Sequence, residues 1–336
     1  MNEKISLKKI LKSRLTFFIL GGILFGFVGV GAASLIYSSD VTYDNTSSGL
    51  SSTTVQGALD ELYEKAKNAP SCDSDGNCTV TCPDDKSFIS TDTGYKCVTT
   101  AENTIKKLNV TTVTSGDGLY ADTVTDGRYY YSGSSANNSI VFNGEPYKIL
   151  AIENDGRIKI IKMVNIENLQ WNTAGTNVWA NSPLKSYLEE TWLPTQESGE
   201  DYQYLSDTNE WYVGAVSSKS DIAENYTAEK KTVVNSAVGL ISTSEFLKSK
   251  YTGSTFLNVS INWWTISPYA SSSSDAWFVY SSGLGKSYVY RGSYAVFPVL
   301  YLKSSVSLTG SGTSTDPYCI KGSTCPKDLN FSQRTS

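Results

Sequence analysis

Six cysteines are the residues whose spacing points most directly to a chemistry. They form two groups, which are Cys72, Cys78, Cys82 and Cys97 in a short polar segment, and Cys319 and Cys325 near the C-terminus. In a chain that is exported, as the N-terminal segment below indicates, an even number of cysteines indicates disulfides. Four cysteines allow three pairings, and the sequence does not choose among them. The last two cysteines are predicted to form a local bridge, and without histidine or paired CxxC motifs no metal site is predicted.

Histidine is absent from all 336 residues, which excludes Ser-His-Asp and Cys-His nucleophiles and histidine-ligated metals. A hydrolase would then depend on two carboxylates acting together. The acids available for this role in the polar stretch that follows residue 188 are Glu189, Glu190, Glu197, Glu200, Asp201 and Asp207. Their spacing favours no particular pair. We therefore predict that the protein is not an enzyme and needs no cofactor, and a surface hydrolase is the least favoured hypothesis.

Tyrosine is unusually frequent, with 22 residues, and several tyrosines alternate with small residues between residues 277 and 294. Tyr and Arg among Ser and Gly are typical of adaptable binding surfaces. The residues predicted to form a ligand surface are Trp264, Tyr269, Tyr280, Tyr288, Tyr290 and Arg291. The alternative is that the aromatic residues are inward positions of strands, and for Trp263, Trp264 and Trp277 this core role is the favoured one.

The net charge of −5 offers no basic surplus for a phosphate backbone, so nucleic-acid binding is not expected. Residues 1–14 form a basic tail, and residues 15–37 are 23 consecutive uncharged residues. A helix of that length crosses a bilayer core of about 30 Å, and the positive-inside rule places the tail in the cytoplasm. Cleavage after the small residues 31–33, which would release a secreted form, is the alternative. Five basic side chains against one acid give residues 1–37 a charge of +4, which leaves −9 for the exported remainder.

Residues 38–70 are predicted to be a polar stalk with one short helix. Val55, Leu59, Leu62 and Ala66 recur at helical spacing after Thr54, a candidate N-cap. This stretch resembles a short module of phage tail-fibre and bacterial surface proteins, which implies self-association through the helix at 55–68. Packing of the helix on the downstream domain is the alternative. A cysteine-rich module at 71–100 and a linker at 101–118 are predicted to follow.

Residues 119–303 are predicted to form a mixed α+β domain with mostly antiparallel strands, and 304–336 a tail that contains the Cys319–Cys325 loop. The pairs Asn143-Gly144 and Asp155-Gly156 separate three apolar runs, which predicts an antiparallel meander. Asn181 and Ser182 are the two candidate N-caps just before Pro183, which opens an amphipathic run that predicts a helix.

A series of ordered motifs in this domain resembles an uncharacterised family of bacterial surface domains. The motifs are Trp179-x-x-Ser182-x-Leu184-x-x-Tyr187-Leu188, Trp263-Trp264-x-x-Ser267-Pro268, Ala276-Trp277-x-Val279 with Gly283, and Tyr294-x-Val296-x-Pro298-Val299-Leu300. That family is similar to the C-type-lectin-like fold of formylglycine-generating enzymes and of variable binding proteins of diversity-generating retroelements. The resemblance spans residues 128–302 and implies a lectin-like fold with adaptable loops around its last strands.

Two departures from that family limit what the resemblance implies. Ile266 and Phe297 stand where the family often has arginine. The domain has no redox cysteine pair before Cys319 and no calcium-binding Glu-Pro-Asn motif, so neither formylglycine synthesis nor calcium-dependent sugar binding is expected. The favoured hypothesis is a membrane-anchored extracellular protein that binds a glycan or a surface protein. A structural component of the cell envelope without a specific ligand is the alternative.

Overall fold

The computed structural model describes residues 42, 51–67, 71–72, 78–79, 87–91, 94–98, 100–218, 227–257, 260–281 and 283–332. The chain divides into two compact units, Met1–Val98 and Thr99–Ser336, which are described separately. The segment predicted to span a membrane, 15–37, and the alternative cleavage site at 31–33 lie outside the described residues. Within the described ranges, no helix is both long and apolar enough to cross a bilayer.

The first unit contains the predicted stalk helix, α1, at Val55–Lys67. Thr54 caps it, because its Oγ1 accepts a hydrogen bond of 3.1 Å from the amide of Gly57. Two antiparallel hairpins follow, which are β1 Ser71–Cys72 with β2 Cys78–Thr79, and β3 Ser87–Thr91 with β4 Gly94–Val98. The pairing predicted among the sulfurs of Cys72, Cys78, Cys82 and Cys97 lies outside the described part of the chain.

Helix α2, Ala101–Leu108, opens the second unit and corrects the prediction of a linker at 101–118. Ala101 and Leu108 are buried in the core, and the Thr104 hydroxyl donates a hydrogen bond of 2.8 Å to the carbonyl of Gly156. The inward face of α2 carries small and polar residues as well as Leu108, so its apolar periodicity is weak in the sequence. Packing against the domain stabilises a helix that is too short to form alone.

Seven strands of the second unit form its larger sheet, and every neighbouring pair is antiparallel. The strands are β5 Gly118–Ala121, β6 Tyr129–Ser132, β7 Ser139–Phe142, β8 Glu145–Ile152, β9 Ile158–Lys162, β13 Val238–Gly239 and β20 Val299–Leu302. The order is β13-β20-β9-β8-β6-β5, and β7 also pairs with β8. Asn143 and Gly144 have φ of 50° and 74°, which confirms the predicted two-residue turn between β7 and β8. All five residues of β9 are buried, as expected of a strand covered on both faces.

The second sheet has five strands in the order β10-β19-β16-β17-β18. They are β10 Asn168–Leu169, β16 Trp263–Pro268, β17 Asp275–Tyr280, β18 Gly283–Tyr288 and β19 Tyr294–Ala295. Only β16 and β19 run parallel to each other. Three two-stranded antiparallel sheets account for the other described strands of this unit. They are β11 Asn209–Tyr212 with β12 Val233–Ser236, β14 Lys250–Tyr251 with β15 Ser254–Thr255, and β21 Leu308–Thr309 with β22 Cys319–Ile320. The predicted mixed α+β class with mostly antiparallel strands is confirmed.

The predicted helix after Ser182 is present, but it is regular for only one turn. Ser182 Oγ accepts a hydrogen bond of 3.1 Å from the amide of Lys185, and α3 spans Pro183–Ser186. The chain then widens into a π-helical turn at Tyr187–Trp192 and tightens into a 3-10 turn at Leu193–Gln196. Pro194 has no amide hydrogen to donate one turn back, which prevents a regular helical ladder here. Shorter 3-10 turns lie at Trp179–Asn181, Tyr202–Tyr204 and Glu229–Lys231.

Helix α4, Thr243–Lys248, is anchored at its N-terminus by the buried carboxylate of Glu229. That carboxylate accepts hydrogen bonds from the hydroxyls of Ser242, Thr243 and Ser267, at 3.0, 2.6 and 3.1 Å. Because the Ser267 hydroxyl belongs to β16, one side chain fixes α4 against the second sheet.

The C-terminal residues belong to the folded unit, which corrects the prediction of a tail at 304–336. Val306 and Tyr318 are buried, and β22 adds Ile320 to the core. The predicted disulfide between Cys319 and Cys325 is confirmed. The strands β21 and β22 have only two residues each, which is too short for an apolar periodicity to indicate that this segment packs on the domain.

Candidate functional site

Three residues of the predicted ligand surface come together at the C-terminal end of β18. The rings of Tyr288 and Tyr290 lie 5.5 Å apart, and the guanidinium carbon of Arg291 lies 4.9 and 5.6 Å from their centroids. The turn that places them is tight, because the amide of Arg291 donates to the carbonyl of Tyr288 at 3.2 Å. Tyr288 is 44% exposed, so the cluster presents a flat aromatic face and a cation to solvent.

Tyr269 joins this surface through Lys286, which sequence analysis did not select. Lys286 Nζ donates a hydrogen bond of 2.9 Å to the Tyr269 hydroxyl and lies 4.2 Å from the ring centroid. This hydrogen bond lowers the pKa of the Tyr269 phenol and raises that of Lys286. Lys286 and Tyr288 lie two residues apart on one face of β18. We call Tyr269, Lys286, Tyr288, Tyr290 and Arg291 the tyrosine–cation surface.

The scaffold of the tyrosine–cation surface is the core residue Trp277. It lies opposite Lys286 in the β17–β18 register and is only 5% exposed. Its ring meets that of Tyr269 edge to face, with the centroids 5.5 Å apart, and its Nε1 donates to the carbonyl of Val216 at 3.1 Å. These contacts leave Trp277 in the core, the role that the sequence favoured, and fix the position of Tyr269.

Trp264 does not form the floor of the ligand surface. It is completely buried, its Nε1 donates to the carbonyl of Leu169 at 2.8 Å, and its ring packs 4.6 Å from that of Tyr294. The prediction that Trp264 is a contact residue is corrected, because packing of this β16 residue against Leu169 and Tyr294 leaves no part of it accessible.

Tyr280 is also separated from the tyrosine–cation surface. In the β17–β18 register Tyr280 lies opposite Gly283, whereas Tyr288 lies opposite Asp275, five residues further along β17 and about 17 Å away. Tyr280 and Asp275 differ in parity, so their side chains point to opposite faces of the sheet. Tyr280 instead lines a depression of about 230 Å³ together with Phe246 and Lys250.

Three of the six carboxylates considered for a hydrolase have structural partners of their own. Glu189 forms an ion pair of 2.6 Å with Lys185, and Glu200 accepts from the amide of Thr324 at 2.9 Å. Asp201 is buried and accepts from the amide of Asn143 at 2.7 Å. None of the six lines the charged pocket described next.

The charged pocket has a volume of about 250 Å³ and combines ion pairs with aromatic walls. Sequence analysis did not select it. Its lining residues are Thr125, Arg128, Glu153, Asn154, Arg157, Lys159, Glu210, Trp211, Tyr212, Leu240, Ser242, Glu245, Ile266 and Tyr301. They come from the connections before β6 and between β8 and β9, from β9, β11, β16 and β20, and from the segment between β13 and the first turns of α4. Such widely separated segments leave no spacing signal in the sequence.

Arg128 is the centre of an ion-pair network at this pocket. Its guanidinium contacts the carboxylates of Asp122, Glu153 and Glu245 at 3.1, 3.0 and 3.2 Å. Lys159 contacts the same Glu245 carboxylate at 2.6 Å. The side chains of Arg128, Lys159 and Glu245 are each less than one-tenth exposed, so these charges interact in a largely dehydrated setting.

The aromatic walls of the charged pocket already contact cations of the chain. Lys159 Nζ lies 4.7 Å from the Trp211 ring centroid and 4.9 Å from that of Tyr301. The guanidinium of Arg157 lies 5.2 Å from the Tyr301 ring. Cation–π attraction of this kind stabilises partly dehydrated positive charge.

The electrostatics keep both partners of the Lys159–Glu245 pair ionised. Burial alone would raise the pKa of Glu245, but Lys159 and Arg128 together lower it. Burial alone would lower the pKa of Lys159, but Glu245 raises it above its usual range. A general acid requires a carboxyl that holds its proton near neutral pH, and Glu245 is shifted in the opposite direction.

Among the described residues, no three or more Cys, Asp or Glu side chains are grouped so that they could bind a metal ion. The resemblance to the C-type-lectin-like fold rests on the sequence motifs alone and stays a prediction. No protein-family model, curated protein or solved structure matches this chain.

Proposed function

We propose that this protein is a membrane-anchored binding protein that recognises a glycan or a protein ligand outside the cell through the tyrosine–cation surface. Residues 15–37 anchor it with the basic tail inside, and the unit Thr99–Ser336 is extracellular. A cleaved form, released after residues 31–33, would carry the same binding unit into the medium.

The observation that carries this proposal is the exposed cluster of Tyr288, Tyr290 and Arg291. Two rings in contact, tilted by 37° to each other, and a guanidinium that lies against them lose little conformational freedom when a ligand binds. Tyr and Arg are also the residue types that contribute most to binding at protein interfaces. Planar faces with hydroxyl groups suit a sugar ring as well as an apolar side chain.

Charge supports a ligand that carries acidic groups. Lys286 and Arg291 lie on the same surface of an exported region whose net charge is −9. A local pair of cations in an acidic surrounding directs a negatively charged partner to this surface rather than elsewhere.

Helix α1 supports a second part of the proposal, the association of copies of this chain. Leu59 belongs to its predicted apolar stripe and is 51% exposed. Burying Leu59 against the same helix of another copy would remove apolar surface from water and bring several binding units together. Analytical ultracentrifugation of the full chain and of Leu59→Asp tests this part, and a wild type that sediments as a monomer overturns it.

A two-step experiment tests the binding proposal. Protease added to intact cells should remove the unit Thr99–Ser336, and its survival would contradict the extracellular location. The full chain in detergent is then applied to a glycan array and to an array of surface proteins, beside Tyr288→Ala/Arg291→Ala and the exposed control Val178→Ala. The proposal expects retention of wild type and control, and weak retention of the double variant. Equal signals for all three, or none, would favour a structural envelope protein without a specific ligand.

A further inference from the structure

The charged pocket contains more buried charge than folding explains. Arg128, Lys159, Glu245 and the adjoining Asp122 are all nearly inaccessible. Removing such charges from water costs free energy that their attraction repays only in part, so apolar residues of similar size would stabilise the domain equally well. A cavity of about 250 Å³ lined by these groups is therefore better explained by recognition than by stability.

The pairing of charges in the pocket indicates which ligand it suits. Arg128 already contacts three carboxylates, so an anionic ligand would have to displace one of them. A cationic ligand would meet Lys159 and Arg157, which already lie against the faces of Trp211 and Tyr301 and would repel it. An uncharged molecule meets neither obstacle.

Hydroxyl groups match the paired charges of this pocket. Each hydroxyl can donate to a carboxylate and at the same time accept from an ammonium or a guanidinium group. A neighbouring carboxylate and cation, such as Glu245 and Lys159, can therefore both bind one hydroxyl without losing their own contact. Tyr212, an exposed aromatic residue of the lining, offers an apolar face for the C–H groups of the same molecule.

We propose that the charged pocket binds one small, neutral, polyhydroxylated ring, such as a single sugar residue. Its volume of about 250 Å³ lies just below the usual range of ligand pockets, so it suits one ring rather than a chain of them. The pocket shares no lining residue with the tyrosine–cation surface, so this proposal stands apart from the proposed function.

The test is a titration of the full chain with free D-glucose, D-galactose, D-mannose and N-acetylglucosamine, observed by saturation-transfer-difference NMR. Glu210 and Tyr212 lie at the pocket and are exposed, so Glu210→Ala/Tyr212→Ala should leave the melting temperature unchanged. At least one sugar should bind to wild type and to the control Val178→Ala. The double variant should bind that sugar about tenfold more weakly, the effect of losing a stacking and a hydrogen-bonding partner.

A second titration distinguishes neutral from charged ligands. D-Glucuronate should bind no more tightly than D-glucose, and binding of the neutral sugar should be insensitive to sodium chloride. Absence of binding by all four neutral sugars overturns the proposal. So does equal binding by the double variant, or glucuronate that binds about tenfold or more tightly than glucose.

Discussion

Glu245→Gln removes one negative charge from the charged pocket and changes almost nothing else. The glutamine has the same size and still accepts the hydrogen bond of 3.1 Å from the Ser242 amide. Arg128 retains Asp122 and Glu153 as partners. Lys159 loses the carboxylate at 2.6 Å, with which it forms its one ion pair in the described part of the chain, so the effect falls mainly on Lys159.

The distance sets the scale of this effect. At an effective dielectric constant of about 20, two unit charges 2.6 Å apart attract by roughly 6 kcal/mol. Part of the lost attraction is recovered when Lys159 gives up its proton or is rehydrated. We expect Glu245→Gln to lower the free energy of unfolding by about 3–5 kcal/mol. This is the usual cost of removing one member of a buried ion pair and leaving the other charge without its partner.

A double-mutant cycle with Lys159→Met separates this effect from packing. All seven tryptophans lie between residues 171 and 277, so their fluorescence during urea unfolding reports only on the unit Thr99–Ser336. With both charges removed, Met packs against Trp211 and Tyr301, and Lys159→Met/Glu245→Gln should be more stable than Glu245→Gln alone by about 2 kcal/mol or more. A loss below about 1 kcal/mol for Glu245→Gln, or additive effects of the two changes, would refute this reasoning.

Three further changes have distinct expected outcomes. Burial lowers the pKa of Lys148 to about 8 in the folded protein. Between pH 8 and about 10 the unfolded chain therefore binds more protons than the folded one, and the free energy of unfolding rises with pH. Lys148→Met should abolish this rise and stabilise the domain at neutral pH by up to about 3 kcal/mol in urea unfolding, and an unchanged pH profile would contradict the assignment. Trp277→Ala should cost about 3–5 kcal/mol, because the ring is buried, and a melting temperature like that of wild type would place Trp277 outside the core. Cys319→Ser/Cys325→Ser opens a short loop and should cost about 2 kcal/mol, and calorimetry that shows complete unfolding would exclude so local a role.

Local signals in the sequence predicted the local structure. The Asn143-Gly144 turn, the Thr54 and Ser182 caps and the Cys319–Cys325 bridge each depend on residues only a few positions apart. For the same reason the sequence could indicate that Tyr288, Tyr290 and Arg291 lie together, since one tight turn places all three.

Longer-range features could not be predicted in the same way. Tyr280 was grouped with Tyr288 because it is near in sequence, but strand parity and the β17–β18 register separate them. Helix α2 and the C-terminal hairpin derive their stability from surfaces of the domain that local periodicity does not describe. The charged pocket brings Arg128, Lys159 and Glu245 together from strands and a helix far apart in the chain, so only the fold reveals it.

The affinity of the tyrosine–cation surface for the ligand found on the arrays tests the central claim most directly. The measurement compares the dissociation constants of wild type, Val178→Ala and Tyr288→Ala/Arg291→Ala by surface plasmon resonance, at equal melting temperature. Because the altered side chains are exposed, the double variant should remain as stable as wild type within about 0.5 kcal/mol. It should bind more weakly by about 1–3 kcal/mol, which corresponds to roughly 5- to 150-fold in the dissociation constant, while Val178→Ala binds as wild type does. A stable double variant with the wild-type dissociation constant would contradict the claim that this surface binds the ligand.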